Sequence, residues 1–211
     1  MSKVLIPFRC EQCGAHLHQQ VYDGVDVSKE PQYRAKVMDA SIFDFPCPHC
    51  GNVNGVIYPF LSHDPANRFM VQLVDSGFQG DPFTDVFEEG AMKEAVEGMK
   101  ERYTFRTVQT PNDLMEKIIL FENHLDDRAV EIMKAGILAA DSSILSLYFA
   151  PTDQGPVFLV EEEKDFSRSI PFDQALYEKV AQSIADLPEQ ETEIDQNWVR
   201  SMQGEETKLC H

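Results

Sequence analysis

Cys10-Glu11-Gln12-Cys13-Gly14 and Cys47-Pro48-His49-Cys50-Gly51 are two copies of one turn, with 33 residues between Cys13 and Cys47. Four of the chain's five cysteines lie in these copies. Each copy also carries a phenylalanine two residues before its first cysteine, Phe8 and Phe45. Two residues between cysteines let both sulfurs of a tight turn reach one ion. The glycine after the second cysteine supplies the positive φ that such turns tend to need. Zinc in a structural role takes four such ligands in a closed tetrahedron. The pair therefore predicts one structural Zn2+ held by Cys10, Cys13, Cys47 and Cys50, and a fold in which two distant turns meet.

Other chemistries use the same residues. A lone C-x-x-C serves as a redox pair in thioredoxin-like proteins, but there it sits in a βαβ unit, whereas strands are expected on both sides of the first copy here. A disulfide framework needs an oxidising compartment. The opening Met1-Ser2-Lys3-Val4-Leu5-Ile6-Pro7 has too short an apolar run for a secretory leader, so a cytoplasmic location with reduced thiols is expected. An iron–sulfur cluster also takes four cysteines, and that alternative stays open at this point.

These residues carry a family resemblance. The stretch from about Phe8 to Val74 resembles the CpXC domain, a bacterial and archaeal module named for paired Cys-Pro-x-Cys motifs. Cys47-Pro48-His49-Cys50 fits that name, while Cys10-Glu11-Gln12-Cys13 lacks the proline, which only stiffens the turn. Phe60-Leu61-Ser62-His63-Asp64-Pro65 and the segment Asn112 to Lys134, with Glu116-Lys117-Ile118 and Leu125-Asp126-Asp127-Arg128, are similar to longer members. The resemblance implies a zinc-binding module and names no activity.

Charge narrows the partners. Residues 1–75 hold 6 Lys/Arg against 8 Asp/Glu, or −2, and residues 76–211 hold 12 against 28, or −16. Nucleic-acid binding draws its non-specific affinity from Lys and Arg neutralising phosphates. Between the two turns there are only Lys29, Arg34 and Lys36, too few for a basic stripe, so nucleic acid is not the expected partner. No run approaches the roughly 18 apolar residues of a membrane span. A protein partner is expected, its identity and the oligomeric state left open.

Along the chain, Val4 to Arg9 and His16 to Tyr22 read as strands, followed by a short helix from Pro31 to Met38 and a strand from Ser41 to Phe45. Asn54 to Phe60 and Phe69 to Val74 read as a hairpin turning at Ser62 to Asn67. A linker, Asp75 to Pro82, and a helix, Thr84 to Glu101, come next, then a strand from Tyr103 to Val108. Thr110-Pro111-Asn112-Asp113 has the signature of a helix start. It opens a helical hairpin that turns at Asn123-His124-Leu125. Ile144 to Ala150, Val157 to Val160 and Phe166 to Ile170 read as strands, and Pro171 to Leu187 as a helix. The last 24 residues read as extended or disordered, with Ile194, Trp198 and Val199 as docking points. The expected class is α+β: a zinc-ribbon β domain with an inserted short helix over 1–75, packed with an acidic mixed helix/strand domain over 76–190, and a tail over 191–211.

Other polar groups carry competing readings. His16 and His18 share a strand face and, with His63 or Asp64, suit a second metal, although histidines on a solvated strand are commoner than ligands. His49 lies between ligands and is expected exposed. His124, Asp126, Asp127 and Glu131 suit a general base with carboxylates, against a plainer reading as helix capping and surface pairing of Glu131 with Arg128 and Lys134. Glu161-Glu162-Glu163 reads as a solvated turn, and Cys210-His211 as a terminal pair too mobile to ligate. No phosphate loop, nucleophile elbow or H-E-x-x-H occurs. The leading expectation is a non-catalytic interaction module. A metal-assisted enzyme with a cleft near His63, Asp64, His124 and Asp127 is the alternative, and a nucleic-acid-binding ribbon is a weaker one.

Overall fold

The computed structural model describes residues 3–74, 83, 102–163, 166–187 and 191–209. The expected linker at 75–82, the helix at 84–101 and the pair Cys210-His211 lie outside the described residues. The class is α+β, with five α-helices and several sheets among the described residues. Two compact units divide the chain, Met1–Met115 and Glu116–His211.

In the first unit both cysteine turns are hairpin loops. Strand β1 (Lys3–Arg9) pairs antiparallel with β2 (His16–Tyr22), Arg9 opposite His16, and the first copy closes the loop between them. Strand β1 alternates exposed and half-buried residues throughout and β2 does so to Gln20, before the buried Val21, as the period-2 pattern predicts for a ribbon with one covered face. Strand β4 (Asp44–Pro46) pairs with β5 (Val53–Gly55) in the same way, Pro46 opposite Val53, around the second copy. The expected strand from Ser41 starts later, because Ser41–Phe43 forms a 3-10 turn. Helix α1 (Gln32–Met38) ends just before it, Ala40 takes a φ of 59°, and the Asp39 carboxylate accepts the Ser41 N–H at 2.9 Å. That short hydrogen bond offers the backbone a turn in place of a ladder.

The main sheet runs β3-β6-β7-β8. Strand β6 (Phe60–Asp64) pairs antiparallel with β7 (Phe69–Leu73), and both are flanked by parallel neighbours, β3 (Gly24–Asp26) and β8 (Thr104–Val108). Ser62, His63 and Asp64, expected in the turn, belong to β6 instead. The turn starts at Pro65, where Asp64 Oδ1 accepts from the N–H groups of Ala66 and Asn67 at 2.9 and 3.1 Å. Arg68 completes it at a φ of 56°.

In the second unit the helical hairpin forms as its caps dictate. Thr110 Oγ1 accepts the Asp113 N–H at 3.1 Å and opens α2 (Pro111–Glu122), the helix within which the two units divide. Asp126 caps α3 (Asp127–Ala140) by accepting the Arg128 N–H at 2.9 Å. A three-stranded antiparallel sheet, order β11-β10-β9, follows from β9 (Ser146–Ala150), β10 (Val157–Glu161) and β11 (Phe166–Pro171). Leu120, Val130, Phe149, Phe158 and Phe172 make its core with the helices. Helix α4 (Gln174–Ser183) begins three residues later than the sequence predicts. Pro171 still pairs with Val157, and Asp173 caps the helix by accepting the Leu176 N–H at 3.0 Å. The expected extended tail is a helix, α5 (Gln196–Leu209). Ile194, Trp198 and Val199 are buried against Ile132 and Ala135, so the single tryptophan anchors this segment to its own unit.

The close pairing of β3 with β6 rests on Gly24. A Cβ there would lie 2.6 Å from the Leu61 carbonyl oxygen and 2.9 Å from Leu61 Cβ, whereas a Cβ on Gly55 meets nothing within 4 Å. Gly24→Ala is expected to destabilise the protein by about 1–3 kcal/mol, the usual cost of overpacking, while Gly55→Ala stays near neutral. Urea midpoints for the two variants check this, and equal midpoints would remove the argument.

Candidate functional site

The two cysteine turns close with the same hydrogen bonds. The Cys10 N–H donates to Ala15 O and the Gly14 N–H to Cys10 O, each at 2.9 Å. In the second copy the Cys47 N–H donates to Asn52 O at 2.7 Å and the Gly51 N–H to Cys47 O at 2.8 Å. Gly14 and Gly51 sit at φ of 72° and 77°, the left-handed region that a Cβ resists. The local sequence thus builds one turn twice.

The fold then brings the copies together. All four Sγ atoms lie within 4.8 Å of one another. Cys10 Sγ is 3.6 Å from Cys50 Sγ, and Cys13 Sγ is 3.6 Å from Cys47 Sγ, so the short approaches run between the copies. Cys10 and Cys47 are buried and Cys13 and Cys50 exposed. Four cysteine donors at this spacing fit a tetrahedral thiolate site.

Two devices join the copies, and the motif alone identifies neither fully. Asn54 is 2% exposed and bridges them. Its Oδ1 accepts the Glu11 N–H from the first copy at 3.0 Å, while its Nδ2 donates to Phe45 O at 3.2 Å and Asn52 O at 3.1 Å in the second. The repeated phenylalanines meet as well, Phe8 and Phe45 having ring centroids 5.9 Å apart. From Phe45 the rings continue through Tyr58 and Phe43 to Phe60 in β6, with centroid spacings of 6.2, 5.4 and 5.8 Å. Burial pushes the Tyr58 hydroxyl up to about 12.

The electrostatics of the sulfurs favour a cation. The backbone N–H of Cys13 pulls the Cys10 thiol down to about 6, against burial and with help from the Gln12 N–H. At Cys50 the Asn52 N–H also pulls downward, but desolvation and the three neighbouring sulfurs outweigh it, and the thiol is pushed up to about 12. The first thiolate forms readily and each later one meets its charge. A bound cation relieves that repulsion and lets all four ionise.

The remaining polar candidates have other duties. His16, His18 and His49 are exposed, and among the described residues the four cysteines alone form a group of three or more side chains able to hold a metal. Asp64 is 5% exposed and holds the β6–β7 turn. His63 Nδ1 lies 3.7 Å from Asp26 Oδ2, and its Nε2 is buried with no hydrogen bond. His124 is exposed at a φ of 56° and ends α2, where the Leu125 N–H reaches back to Leu120 O at 2.9 Å. His63 and Asp64 lie in the first unit, His124 and Asp127 in the second. The surface pairing expected for Glu131 is overturned. Glu131 and Lys134 are 3% and 5% exposed and join Glu116, Lys117 and Asp127 in a buried ionic cluster. Helical spacing shows the pairing of Glu131 with Lys134 but not its depth, which α5 and β9 create.

An α+β protein with a duplicated C-x-x-C-G turn and a four-sulfur cluster defines the class. The sequence matches the CpXC protein family over residues 8–134, more than half of the chain, and the protein belongs to that family. No curated protein and no solved structure matches the chain. Among the described residues no helix is long and apolar enough to cross a membrane.

Three outcomes follow from this geometry. Asn54→Ala removes the buried carboxamide that accepts the Glu11 N–H and donates to Phe45 O and Asn52 O, so a loss of about 1–3 kcal/mol is expected in urea unfolding. His124→Gly relieves a left-handed non-glycine backbone and should leave stability unchanged or raise it by up to about 1 kcal/mol; a large loss would mean that the side chain does more than end a helix. Asp26 gives a pH dependence. Burial alone would raise its carboxyl, but hydrogen bonds from Ser28 and the Lys29 ammonium prevail and hold it at about 2. A depressed carboxyl stabilises the fold above its ordinary value near 4 and loses that contribution as pH falls towards 2, about 2 kcal/mol in all. The stability gap between wild type and Asp26→Asn should therefore narrow below about pH 4.

Proposed function

We propose that Cys10, Cys13, Cys47 and Cys50 hold one structural Zn2+, that residues 1–75 act as a zinc ribbon, and that the protein is a non-catalytic, cytoplasmic module for binding another protein. The four Sγ atoms within 4.8 Å of one another carry this reading. Four cysteine ligands fill a tetrahedral zinc and leave no open position for water or substrate, which catalytic zinc requires. When bound, the ion would link the two hairpin loops and neutralise part of the thiolate charge. Cys47 and Cys10 would hold it from the buried side and Cys13 and Cys50 from the exposed side.

The net charge of −18 supports a protein partner over nucleic acid. The duties of Asp64 in a turn and His124 at a helix end support a structural role for these groups over an active site.

Metal analysis of the purified chain tests the first part, with one zinc per chain expected and a visible iron–sulfur absorption counting against it. Cys47→Ser should lose the ion and unfold the ribbon, because binding and folding are coupled in such sites. A metal-free variant that keeps its native circular dichroism and urea midpoint would sink the structural role. For the partner class, cross-linking in cells should recover proteins that the Cys47→Ser chain fails to recover. Salt-sensitive binding to DNA or RNA in gel shifts would instead favour a nucleic-acid module.

A further inference from the structure

Five ionisable side chains are buried around one point in the second unit. Glu116, Lys117, Asp127, Glu131 and Lys134 are each no more than 5% exposed. Lys134 Nζ lies 2.8 Å from both Glu116 Oε2 and Glu131 Oε1, and Lys117 Nζ lies 2.8 Å from Asp127 Oδ2 and 3.6 Å from Glu131 Oε1. The Phe149 N–H donates to Glu116 Oε1 at 2.6 Å. Burying ion pairs is a poor route to stability, since apolar side chains of similar volume often serve as well or better. A buried set of charges of this kind marks a candidate functional site.

The last segment of the chain completes the cluster. The main-chain carbonyl of Ile194 accepts from Lys117 Nζ at 2.7 Å. The Gln196 carboxamide donates to Glu131 Oε2 at 2.7 Å and to the Glu131 main-chain oxygen at 3.0 Å. Trp198 and Val199 then pack on Ile132 and Ala135. A carbonyl on a buried lysine, a carboxamide on a buried glutamate and an aromatic ring on an apolar face are contacts that any suitable peptide can make.

We propose that this cluster is a recognition site for a peptide, closed in cis by residues 194–199 as a displaceable strap. The ligand class is a segment with an apolar residue, a carboxamide two positions on and an aromatic ring two further, as in Ile194-Asp195-Gln196-Asn197-Trp198. Three observations support it. All five ionisable residues lie within the CpXC match at 8–134, whereas the strap lies beyond it. The strap carries its own helix cap, Asp195 Oδ1 accepting from the N–H groups of Asn197 and Trp198 at 2.8 Å each, so it can leave and return as a unit. Its buried residues are few, Ile194, Trp198 and Val199 among residues 191–200, which suits local opening without global unfolding. With the strap displaced, one Lys117 hydrogen and Glu131 Oε2 are ready for an acceptor and a donor from the ligand. The inference does not depend on a metal at the four cysteines.

Trp198 is the chain's single tryptophan, which makes the test direct. The probe is a synthetic peptide of residues 191–202, and the hosts are full-length chains without tryptophan. One host carries Gln196→Ala with Trp198→Ala, which weakens the strap; the other carries Trp198→Phe, which retains it. The peptide's emission should shift to the blue saturably on the weakened host, with an affinity at least about tenfold above that for the Trp198→Phe host. Adding Lys117→Met to the weakened host should remove at least about tenfold. Equal binding to both hosts, or none to a folded weakened host, overturns the proposal. Hydrogen exchange on the wild-type chain decides the matter if the weakened host misfolds. Amides of 196–202 should exchange at least about tenfold faster than those of α3, and equal protection overturns the strap.

Discussion

The first unit has to close a gap of 33 residues, from Cys13 to Cys47, between two turns that are each complete by themselves. Each copy makes its own hydrogen bonds and positions its own two sulfurs, and neither can assemble four donors alone. The approach of the two hairpins is therefore the constraint that the rest of the unit serves. Asn54 reads main-chain groups on both sides of the gap, and Phe8 meets Phe45 across it. The ring series through Tyr58 and Phe43 to Phe60 then ties the second hairpin to the main sheet. A buried amide with several partners fixes geometry well, because any other arrangement leaves polar groups unpaired in a dry setting.

The second unit solves a different problem. Its helices and sheet share a conventional apolar core of Leu120, Val130, Phe149, Phe158 and Phe172. Beside that core lies a set of three carboxylates and two ammonium groups with a net charge of −1. Burial pushes the Glu116 carboxyl up, against the pull of Lys134. At Glu131 burial acts in the same direction, but Lys134 and Lys117 prevail and hold it down. The two glutamates thus share one ammonium unequally, and Glu116 is the carboxylate whose charge its surroundings support less.

Local chemistry was legible in the sequence wherever one segment decides the outcome. The cysteine turns, the alternation of His16 to Tyr22, the Thr110 cap and the stop around His124 all follow from short patterns. What stayed hidden depends on partners remote in the chain. Gly24 to Asp26 is too short to show a period, and it is a strand only because β6 lies beside it. Ser62 to Asp64 has turn-forming residues, yet the ladder with β7 outweighs their local preference. Glu131 and Lys134 have the spacing of a surface pair, and only α5 and β9 make them interior. Asn54 carries no motif, and its role exists only once the two hairpins meet.

The burial pattern of the cysteines makes the cluster two-sided. Cys10 and Cys47, the first of each turn, face the interior, while Cys13 and Cys50 face solvent. Electrophiles, oxidants and small chelators therefore arrive along a single edge, and they meet the second cysteine of each copy before the first. The order of the two sulfurs within each motif, trivial as text, sets the sequence in which the site would be dismantled.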